Sequence, residues 1–262
     1  MNHLPQRTLM QKWHLKSLSS VLIFVILLIG SAKVCGINWS SLNQNFSQFF
    51  DLFKKMAHPQ WSYVTVVIQP IIETIKMALI GTTLGSIIAL PICVFAARNI
   101  VTNKIVTTSI RFLLNIIRTL PDLMLAALFV AIVGIGPLAG ILTLAIFSFG
   151  MVSKLFYEAI ETIDSGPLEA LQAVGANKIQ IIVFAVLPQV INNFVSYFLY
   201  TLEINVRAST VLGYLGAGGI GVYLQRSLDS FNYQQTAVII LAILVVVLII
   251  DGLSNYLREK LL

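Results

Sequence analysis

Three glycines in the stretch "LGYLGAGGIG" (residues 212–221) have the spacing G-x-G-x-x-G: Gly216, Gly218 and Gly221. Dinucleotide-binding proteins use this spacing to bring the backbone close to a pyrophosphate at a helix N-terminus. That chemistry also needs a strand before the glycines and an acidic residue about 20 positions after them. The sequence supplies neither, and it contains no G-x-x-x-x-G-K-[ST] loop. We therefore expect this chain to bind no nucleotide, and any ATP and magnesium to bind elsewhere.

The other residue types that commonly carry chemistry are few and scattered. The two cysteines, Cys35 and Cys93, have no His or Cys neighbours at the spacing of a metal site, and the sequence favours no disulfide framework. The histidines, His3, His14 and His58, lie near no Ser or Cys that forms a nucleophile motif. We expect no catalytic residue, no cofactor and no metal site, and an intramembrane enzyme is disfavoured.

The composition is typical of a protein that lies in a lipid bilayer. Of the 262 residues, 57% are hydrophobic and 11% are charged, whereas about a quarter are charged in a soluble domain. The net charge of +6 comes from Lys and Arg scattered between apolar blocks. A nucleic-acid-binding protein would gather them on one face with aromatic residues between them. The sequence therefore predicts contact with membrane lipid and none with nucleic acid.

Six apolar blocks are long enough to cross the bilayer as helices, since a crossing needs about 20 residues. They cover residues 18–34, 71–97, 112–135, 138–156, 189–206 and 236–256. The first block resembles a secretion signal, but the stretch "AKVC" that follows it (residues 32–35) lacks the small-residue pattern of a cleavage site. The predicted fold is an all-α polytopic membrane protein with about six transmembrane helices.

Basic residues between the blocks predict the orientation. With the N-terminus inside, eleven Lys and Arg lie on the cytoplasmic side. Five lie outside: Lys33, Lys54, Lys55, Arg207 and Arg226. Because positive residues favour the cytoplasmic side, we expect both termini inside a bacterial inner membrane. Residues 35–70 and 208–235 would then be external, and residues 157–188 would form a cytoplasmic loop.

This loop contains "ETIDSGPLEALQAVGANKIQIIVFAVLP" (residues 161–188), which reads as two short helices joined at a glycine. Ser165 is expected to cap the first helix, Pro167 suits its first turn, and Glu169 complements its dipole. Gly175 is expected to end it with a left-handed backbone. An apolar stripe is predicted on the second helix, formed by Ile179, Ile182, Val183 and Val186. Pro188 should stop or kink that helix.

The spacing in this loop resembles the "EAA" loop of the membrane subunits of ABC-type importers, E-A-A-x3-G-x9-I-x-L-P. The matching positions are Glu169, Ala170, Gly175, Leu187 and Pro188. Two positions differ, because Leu171 replaces a small residue and Ala185 replaces the isoleucine, but both keep the face apolar. The resemblance implies that the helix after Glu169 lies in a cleft on a separate ATPase subunit. The alternative is an amphipathic helix resting on the bilayer surface.

Further segments, "GANK", "LPQV", "SYFLYTLEINVRASTVLGYLGAGGIGVYL" and "FNYQQT", resemble phosphonate-import permeases (PhnE-like) and, more loosely, methionine-import permeases. The likeness covers about residues 71–262. It implies the type I (MetI-like) ABC importer fold for a permease core in residues 61–262. Residues 1–60 have only the general pattern of a tail, one span and an external loop. It also implies an ATPase dimer, an external substrate-binding protein, a second copy of this chain, and a small oxyanion substrate such as phosphonate, phosphite or a phosphate ester.

The glycines of residues 212–221 have two possible roles. Gly213, Gly216, Gly218, Gly219 and Gly221 would allow a compact re-entrant segment at membrane depth, where irregular backbone must be buried or line a cavity. One hypothesis is a gate or hinge on the substrate path, together with the preceding Ser209 and Thr210. The other is close helix packing without movement.

Two pairs of charged residues lie near the predicted path. Glu203 and Arg207 are four residues apart, as are Arg118 and Asp122 on either side of Pro121. Local ion pairs would explain both, but Arg207 could also guide an anionic substrate. An ion-coupled secondary transporter would need carboxylates near the midplane. Only Glu203 could serve there, so that class remains an alternative beside a methionine-type permease.

Overall fold

A computed structural model describes residues 15–36 and 39–261, with the side chains of residues 19–36 and 46–260. The N-terminal tail, to which the sequence analysis assigns a cytoplasmic position, lies outside these residues. In the part of the chain that is described, every regular element is a helix. The chain divides into two compact units, residues 1–54 and 55–262.

The first unit consists of α1 (Leu15–Val34) and most of α2 (Trp39–Met56). Residues 21–29 of α1 are all large and apolar, and each is at least 43% exposed. Such an apolar surface is unfavourable in water and favourable in lipid. α1 therefore has the surface of a helix that contacts lipid.

The second unit holds the remaining helices. After a 3₁₀ turn (Trp61–Tyr63) come α3 (Val64–Ala96), α4 (Lys104–Thr119), α5 (Asp122–Val133), α6 (Pro137–Glu161), α7 (Gly166–Ala173) and α8 (Lys178–Ile181). A π-helical turn (Ile182–Val186) leads into α9 (Leu187–Leu212), and a second 3₁₀ turn (Gly213–Leu215) follows it. The unit ends with α10 (Ile220–Asp229) and α11 (Tyr233–Leu261).

Four continuous helical stretches are long and apolar enough to cross a membrane. They are Trp61–Ala96, Pro137–Glu161, Lys178–Leu215 and Tyr233–Lys260. α4 and α5 together could form a fifth span, and Ser19–Val34 is a shorter apolar helix. The all-α polytopic fold is thus confirmed, and the six apolar blocks of the sequence correspond to these six helical segments.

The third block, residues 112–135, is not one straight helix as expected. α4 ends at Thr119, α5 begins at Asp122, and their axes differ by 86°. Pro121 is the cause, because it lacks an N–H and disfavours a helical conformation in the residue before it. Leu120 accordingly has an extended backbone (ψ 124°).

The core is built around a close contact between α3 and α6. A Cβ atom at Gly81 would lie 2.7 Å from Leu144 Cβ, and one at Gly85 would lie 2.7 Å from the backbone nitrogen of Phe149. Glycines four residues apart allow two helices to approach this closely in a membrane, where packing rather than water exclusion drives association. This pair of glycines was not predicted from the sequence.

A buried polar cluster joins α9 to the same two helices. The Asn205 side-chain amide donates to Thr82 Oγ1 on α3 at 2.7 Å and to Ser148 Oγ on α6 at 2.6 Å. All three residues are fully buried. Interhelical hydrogen bonds of this kind stabilise and specify helix packing in lipid. The three helices therefore meet at one fixed register.

We expect Gly85→Ala to destabilise the protein by about 1–3 kcal/mol, since the added methyl group would overpack the α3–α6 contact. Gly252→Ala in α11 is the matched control, because no atom lies within 4 Å of its Cβ position. Thermal unfolding of the two purified variants measures the difference. Equal unfolding midpoints for the two variants would contradict the close-packing interpretation.

Candidate functional site

The loop between α6 and α9 is anchored by a cluster of polar contacts at its start. The Glu161 carboxylate, at the end of α6, forms an ion pair with Arg111 on α4 and accepts a hydrogen bond from the Arg98 backbone at 2.7 Å. Arg111 Nε also donates to the Ala96 carbonyl at 2.9 Å, and its guanidinium lies 4.4 Å from the Tyr157 ring centroid. These contacts fix the ends of α3 and α6 to α4, so the loop departs from a rigid base.

α7 is the first of the two predicted loop helices, with Pro167 in its first turn. The expected Ser165 cap is wrong in detail. Ser165 has helical backbone angles and its side chain makes no capping bond. Instead, Asp164 Oδ1 accepts from the Gly166 N–H at 3.0 Å. The preceding carboxylate is the stronger acceptor for a helix N-terminus because it is charged.

The end of α7 follows the prediction for Gly175, which has a φ of +79°. Its N–H donates to the Gln172 carbonyl at 3.0 Å, and the Ala176 N–H donates to the Leu171 carbonyl at 3.0 Å. This pair of bonds is the Schellman arrangement, in which glycine avoids the steric cost of the left-handed conformation. Nothing lies within 4 Å of a Cβ placed there, so the requirement for glycine is conformational.

The predicted stripe on the second helix is only partly buried. Val186 is buried and Ile182 is half-buried, as predicted. Ile179 is 72% exposed and Val183 is 44% exposed, whereas Ile181 and Ala185 pack with Leu168 of α7. The π turn is one reason, because each extra residue in a turn shifts the phase of the side chains. In that turn the Leu187 N–H bonds to the Ile182 carbonyl, five residues back.

Pro188 does not stop the helix as expected. It is the second residue of α9, and one helical stretch runs continuously from Lys178 to Leu215. The widened π turn lies where the proline ring would otherwise crowd a carbonyl in the preceding turn. Leu187 and Pro188 are both exposed.

Gln189 ties the two ends of the loop together, a contact that sequence spacing gave no means of finding. Its side-chain oxygen accepts from the Asp164 N–H at 3.1 Å, and its amide donates to the Ala185 carbonyl at 2.8 Å. Because the contact joins residues 25 positions apart in sequence, no local sequence pattern predicts it. The loop is thus closed at its base and held to the start of α9.

The loop presents an apolar surface that the protein itself leaves uncovered. Val174 is 79% exposed and Phe184 is 69% exposed, in addition to Ile179. Glu169 and Ala170 are exposed on α7, while Leu168 is buried beneath them and Leu171 is half-buried. Exposed apolar side chains rimmed by polar residues are typical of a protein interface. The geometry suits a helix that lies in a partner's groove.

The glycine segment at residues 212–221 has irregular backbone, as the sequence predicts, and most of it is buried, although Tyr214 and Leu215 are exposed. Gly216, Gly218 and Gly219 have φ values of +78°, +86° and +72°, and Ala217 is fully buried. A left-handed backbone conformation at these three positions requires glycine, because the Cβ atom of any other residue would be sterically crowded. In the described residues a helix, and not a strand, precedes these glycines, whereas a dinucleotide-binding loop follows a strand.

Each glycine of the segment also faces a close neighbour. A Cβ at Gly213 would lie 2.5 Å from Gly221 Cα, and Gly221 lies against the Thr210 carbonyl. At Gly218 a Cβ would lie 3.0 Å from Pro137, and at Gly219 it would lie 2.6 Å from Thr74 Oγ1. The segment therefore packs between α3, α9 and the turn before α6.

Two hydrogen bonds connect the segment to its neighbours. The Ile220 N–H donates to Thr74 Oγ1 at 2.8 Å, and the Gly136 N–H donates to the Gly216 carbonyl at 2.9 Å. Backbone groups in a membrane need internal partners because no water is available. Thr74 and Gly136 were missed by the sequence analysis, although a threonine in an apolar helix and a Gly-x-Gly turn are both detectable signals.

Glu203 and Arg207 form the expected ion pair, at 2.5 Å. The structure adds a second arginine, since Arg258 on α11 lies 3.3 Å from the other Glu203 oxygen and 3.0 Å from Ser254 Oγ. The Glu203 side chain is 10% exposed, whereas that of Arg207 is 52% exposed. One buried carboxylate is thus shared by two arginines, and the cluster keeps a net positive charge.

This contact is inconsistent with the opposite sides of the membrane expected for Arg207 and Arg258. Arg258 lies in the last turn of α11, which the sequence analysis counts as cytoplasmic, and Arg207 was counted as external. Because both bind the same carboxylate, they cannot lie on opposite faces. Removing Arg207 from the external count leaves the charge bias in the same direction.

The remaining pathway residues do not all behave as expected. Ser209 Oγ donates to the Val206 carbonyl at 2.8 Å and Thr210 Oγ1 to the Arg207 carbonyl at 2.6 Å, so both hydroxyls bond their own helix. Arg118 and Asp122 form no ion pair among those found in the described residues. They lie on either side of the 86° bend and no longer share one helix face.

Residues 81–262 match the family model described as "Binding-protein-dependent transport system inner membrane component". The chain is 39% identical to the phosphite transport system permease protein PtxC of Stutzerimonas stutzeri, covering 91% of this chain and 86% of that protein. It is 38% identical to the phosphate-import permease protein PhnE of Mycolicibacterium smegmatis, covering 80% of this chain and 40% of that protein.

Among solved structures, the fold is similar to a chain of the inward-facing MetNI methionine ABC transporter. The TM-score is 0.68 at 24% identity, and the match covers 75% of this chain and 96% of that chain. At this identity the likeness concerns the fold. It agrees with the MetI-like architecture that the sequence resemblance implies.

We expect Glu203→Gln to lower stability by about 1–3 kcal/mol, because a neutral side chain leaves two arginines without their shared carboxylate. Glu158→Gln is the control: Glu158 pairs with Lys154 at 3.3 Å, but both side chains are at least a third exposed, so the loss should stay below about 1 kcal/mol. Thermal unfolding of the purified protein compares the two. A midpoint for Glu203→Gln equal to that of Glu158→Gln would show that the three-residue cluster is not stabilising.

Proposed function

The chain belongs to the family of binding-protein-dependent transport system inner membrane components, and we propose that it forms the translocation path for a small oxyanion of phosphorus. It is a multi-pass membrane permease of the ABC importer type. The candidate substrates are phosphite, a phosphonate and a phosphate ester, and the relatives named for phosphite and phosphate import support this class. The 39% identity to the phosphite permease over 91% of the chain is the observation that carries the proposal.

A separate ATPase dimer supplies the energy and binds the ATP and magnesium. The loop at residues 157–188 is the surface that receives it. Three features support this role: the rigid base at Arg111 and Glu161, the exposed apolar side chains, and the match of Glu169, Ala170 and Gly175 to the importer loop pattern. A helix laid in a groove of the ATPase would cover the exposed apolar surface.

The complete importer also contains an external substrate-binding protein and a second copy of this chain. Both termini are cytoplasmic, so that the loop at residues 157–188 faces the ATPase. The excess of Lys and Arg on that side supports the orientation. Transport then requires that the helices of the core rearrange between outward and inward access.

Two groups of residues serve the pathway. The glycine segment acts as the gate, and Arg207 attracts the oxyanion through charge-assisted hydrogen bonds. The half-exposed guanidinium of Arg207 and the net positive charge around Glu203 support this role. Arg118 and Asp122, at the bend between α4 and α5, are secondary candidates for residues that line the path.

The alternative of an ion-coupled transporter is less well supported. It would need a carboxylate free to bind a cation near the midplane. Glu203 is the candidate, and both of its oxygens lie against arginines. Two cations beside one carboxylate oppose the binding of a third. A methionine-type substrate is supported only through likeness of fold.

Uptake by proteoliposomes tests the proposal. We expect labelled phosphite or a phosphonate to enter only when the ATPase, the external binding protein and ATP are present. Glu169→Arg should abolish uptake and ATPase co-purification, because it reverses a charge on the docking helix. Glu259→Arg, on the exposed end of α11, is the control and should retain both. Uptake by the permease alone under an ion gradient would overturn the proposal.

The gate predicts a separate phenotype for Gly218→Val. The substitution combines a φ of +86° with a neighbour, Pro137, 3.0 Å from the new Cβ, so we expect transport to fall at least tenfold, a factor equivalent to about 1.4 kcal/mol. Co-purification of the ATPase should be unaffected, because the docking loop at residues 157–188 is distant in sequence from Gly218. Gly252→Val is the control with open space around it. Normal transport by Gly218→Val would exclude the gate.

A further inference from the structure

α2 (Trp39–Met56) has an aromatic face and an opposite polar face, and the proposed permease function assigns no role to either. Four aromatic rings lie on one side, at Phe46, Phe49, Phe50 and Phe53, and each residue is 53–59% exposed. They contact one another, with ring centroids 5.3 Å apart for Phe46 and Phe50 and 4.7 Å apart for Phe49 and Phe53. The opposite face carries polar residues: Ser47, Gln48, Asp51, Lys54 and Lys55.

We propose that α2 lies in the plane of the bilayer interface, with the four phenylalanines among the lipid acyl chains and the polar face toward water. A helix with a strongly apolar side, a polar opposite side and low net hydrophobicity typically binds there. α2 differs in this respect from α1, which has large apolar side chains at every position from 21 to 29. The aromatic face of α2 is therefore covered by lipid at the membrane surface.

Chain length limits how α2 can be placed. An 18-residue helix is about 27 Å long. At its N-terminus, residues 35–38 connect it to the lipid-facing helix α1, and at its C-terminus, residues 57–60 lead to Trp61. Each link can reach about 18 Å at most. If α2 stood perpendicular to the membrane, one of its ends would lie about 27 Å from the membrane surface. The four-residue link at that end could not span this distance.

The second link ends at a residue of a type that is common at the membrane interface. Trp61 is 65% exposed, and aromatic residues with a polar tip concentrate at the membrane–water boundary. The next apolar residues, Val64, Val66 and Ile68, are 37–50% exposed, so apolar surface suited to lipid begins immediately after it. α2 is thus connected in the chain, by a short link at each end, to a helix whose surface suits lipid.

Charge also favours lipid over another protein as the occupant. Lys54 lies near the C-terminal end of α2, at the border of the polar face, where a long basic side chain can reach anionic headgroups. Lys55 lies on the polar face, and its Nζ is 5.9 Å from the Tyr233 ring centroid. One acidic residue, Asp51, occurs in the described side chains of the helix and lies on the polar face. In the orientation proposed above, the surface is that of the outer leaflet.

Spin labelling of the intact importer in phosphatidylethanolamine–phosphatidylglycerol vesicles tests the proposal. Labels are placed at Phe49→Cys and, as the matched control, at Ser47→Cys, in a background of Cys35→Ser and Cys93→Ala. Collision with oxygen, which concentrates in lipid, and with a water-soluble nickel chelate is measured for each. We expect the ratio of oxygen to nickel collisions to be several-fold higher at position 49 than at position 47. A scan of residues 46–56 should show a period of 3.6 residues.

Two results would overturn the proposal. Equal ratios at positions 47 and 49 would mean that the aromatic face is in water. Low collision rates with both reagents at position 49 would mean that protein covers it, either a second copy or the external binding protein. Because the measurement does not use transport, its failure is distinguishable from failure of the proposed function. A transport assay on the same labelled variants confirms that each importer is assembled.

Discussion

Irregular backbone inside a membrane protein must find all its hydrogen-bond partners within the protein, because lipid offers none. This constraint governs the segment between α9 and α10, where the helix ends at Leu212 and resumes at Ile220. Glycine allows the chain to turn in a small volume, and Thr74 and the Gly136 turn supply the missing partners. The close approach of α3 to α6 places both partners within reach. The packing at Gly81 and Gly85 therefore supports the candidate gate as well as the core.

One helical stretch connects that segment to the cytoplasmic loop. Lys178–Leu215 is 38 residues long, or about 57 Å as a helix. Its first part is held to the loop by Gln189, while Glu203 and Asn205 bind α11, α3 and α6 further along. A force applied at α7 would reach the core through this helix. The π turn at Ile182–Val186 interrupts the regular α-helical hydrogen bonding of the stretch between the loop and the core, and such turns are frequent at functional sites.

Local features of the site could be predicted from the sequence, because each depends on a few neighbouring residues. Gly175 ends α7 as expected, since the left-handed turn is a property of glycine itself. The contacts that define the rest join distant residues: Arg258 with Glu203, Gln189 with Asp164, and Arg111 with Glu161. A periodic pattern in one segment contains no information about a partner 50 residues away.

The errors of prediction have local physical causes too. The stripe on the second loop helix was assigned by assuming 3.6 residues in every turn, and the π turn breaks that assumption, so Ala185 is buried and Val183 is exposed. The third block was taken as one helix because its apolar composition is continuous. Pro121 alone marks the bend there, and a proline in a membrane helix does not always break it: α3 continues through Pro70 and Pro91.

The packing and gate interpretations of the glycine segment are compatible. Among the described residues, its hydrogen bonds to other helices are those with Thr74 and Gly136, whereas α3 and α6 pack along much of their length. The free-energy cost of changing from one backbone conformation to another is small for glycine. A rearrangement here would break fewer bonds than one between α3 and α6, so local opening should begin at this segment. A gate requires tight packing in its closed conformation and a small free-energy cost of opening.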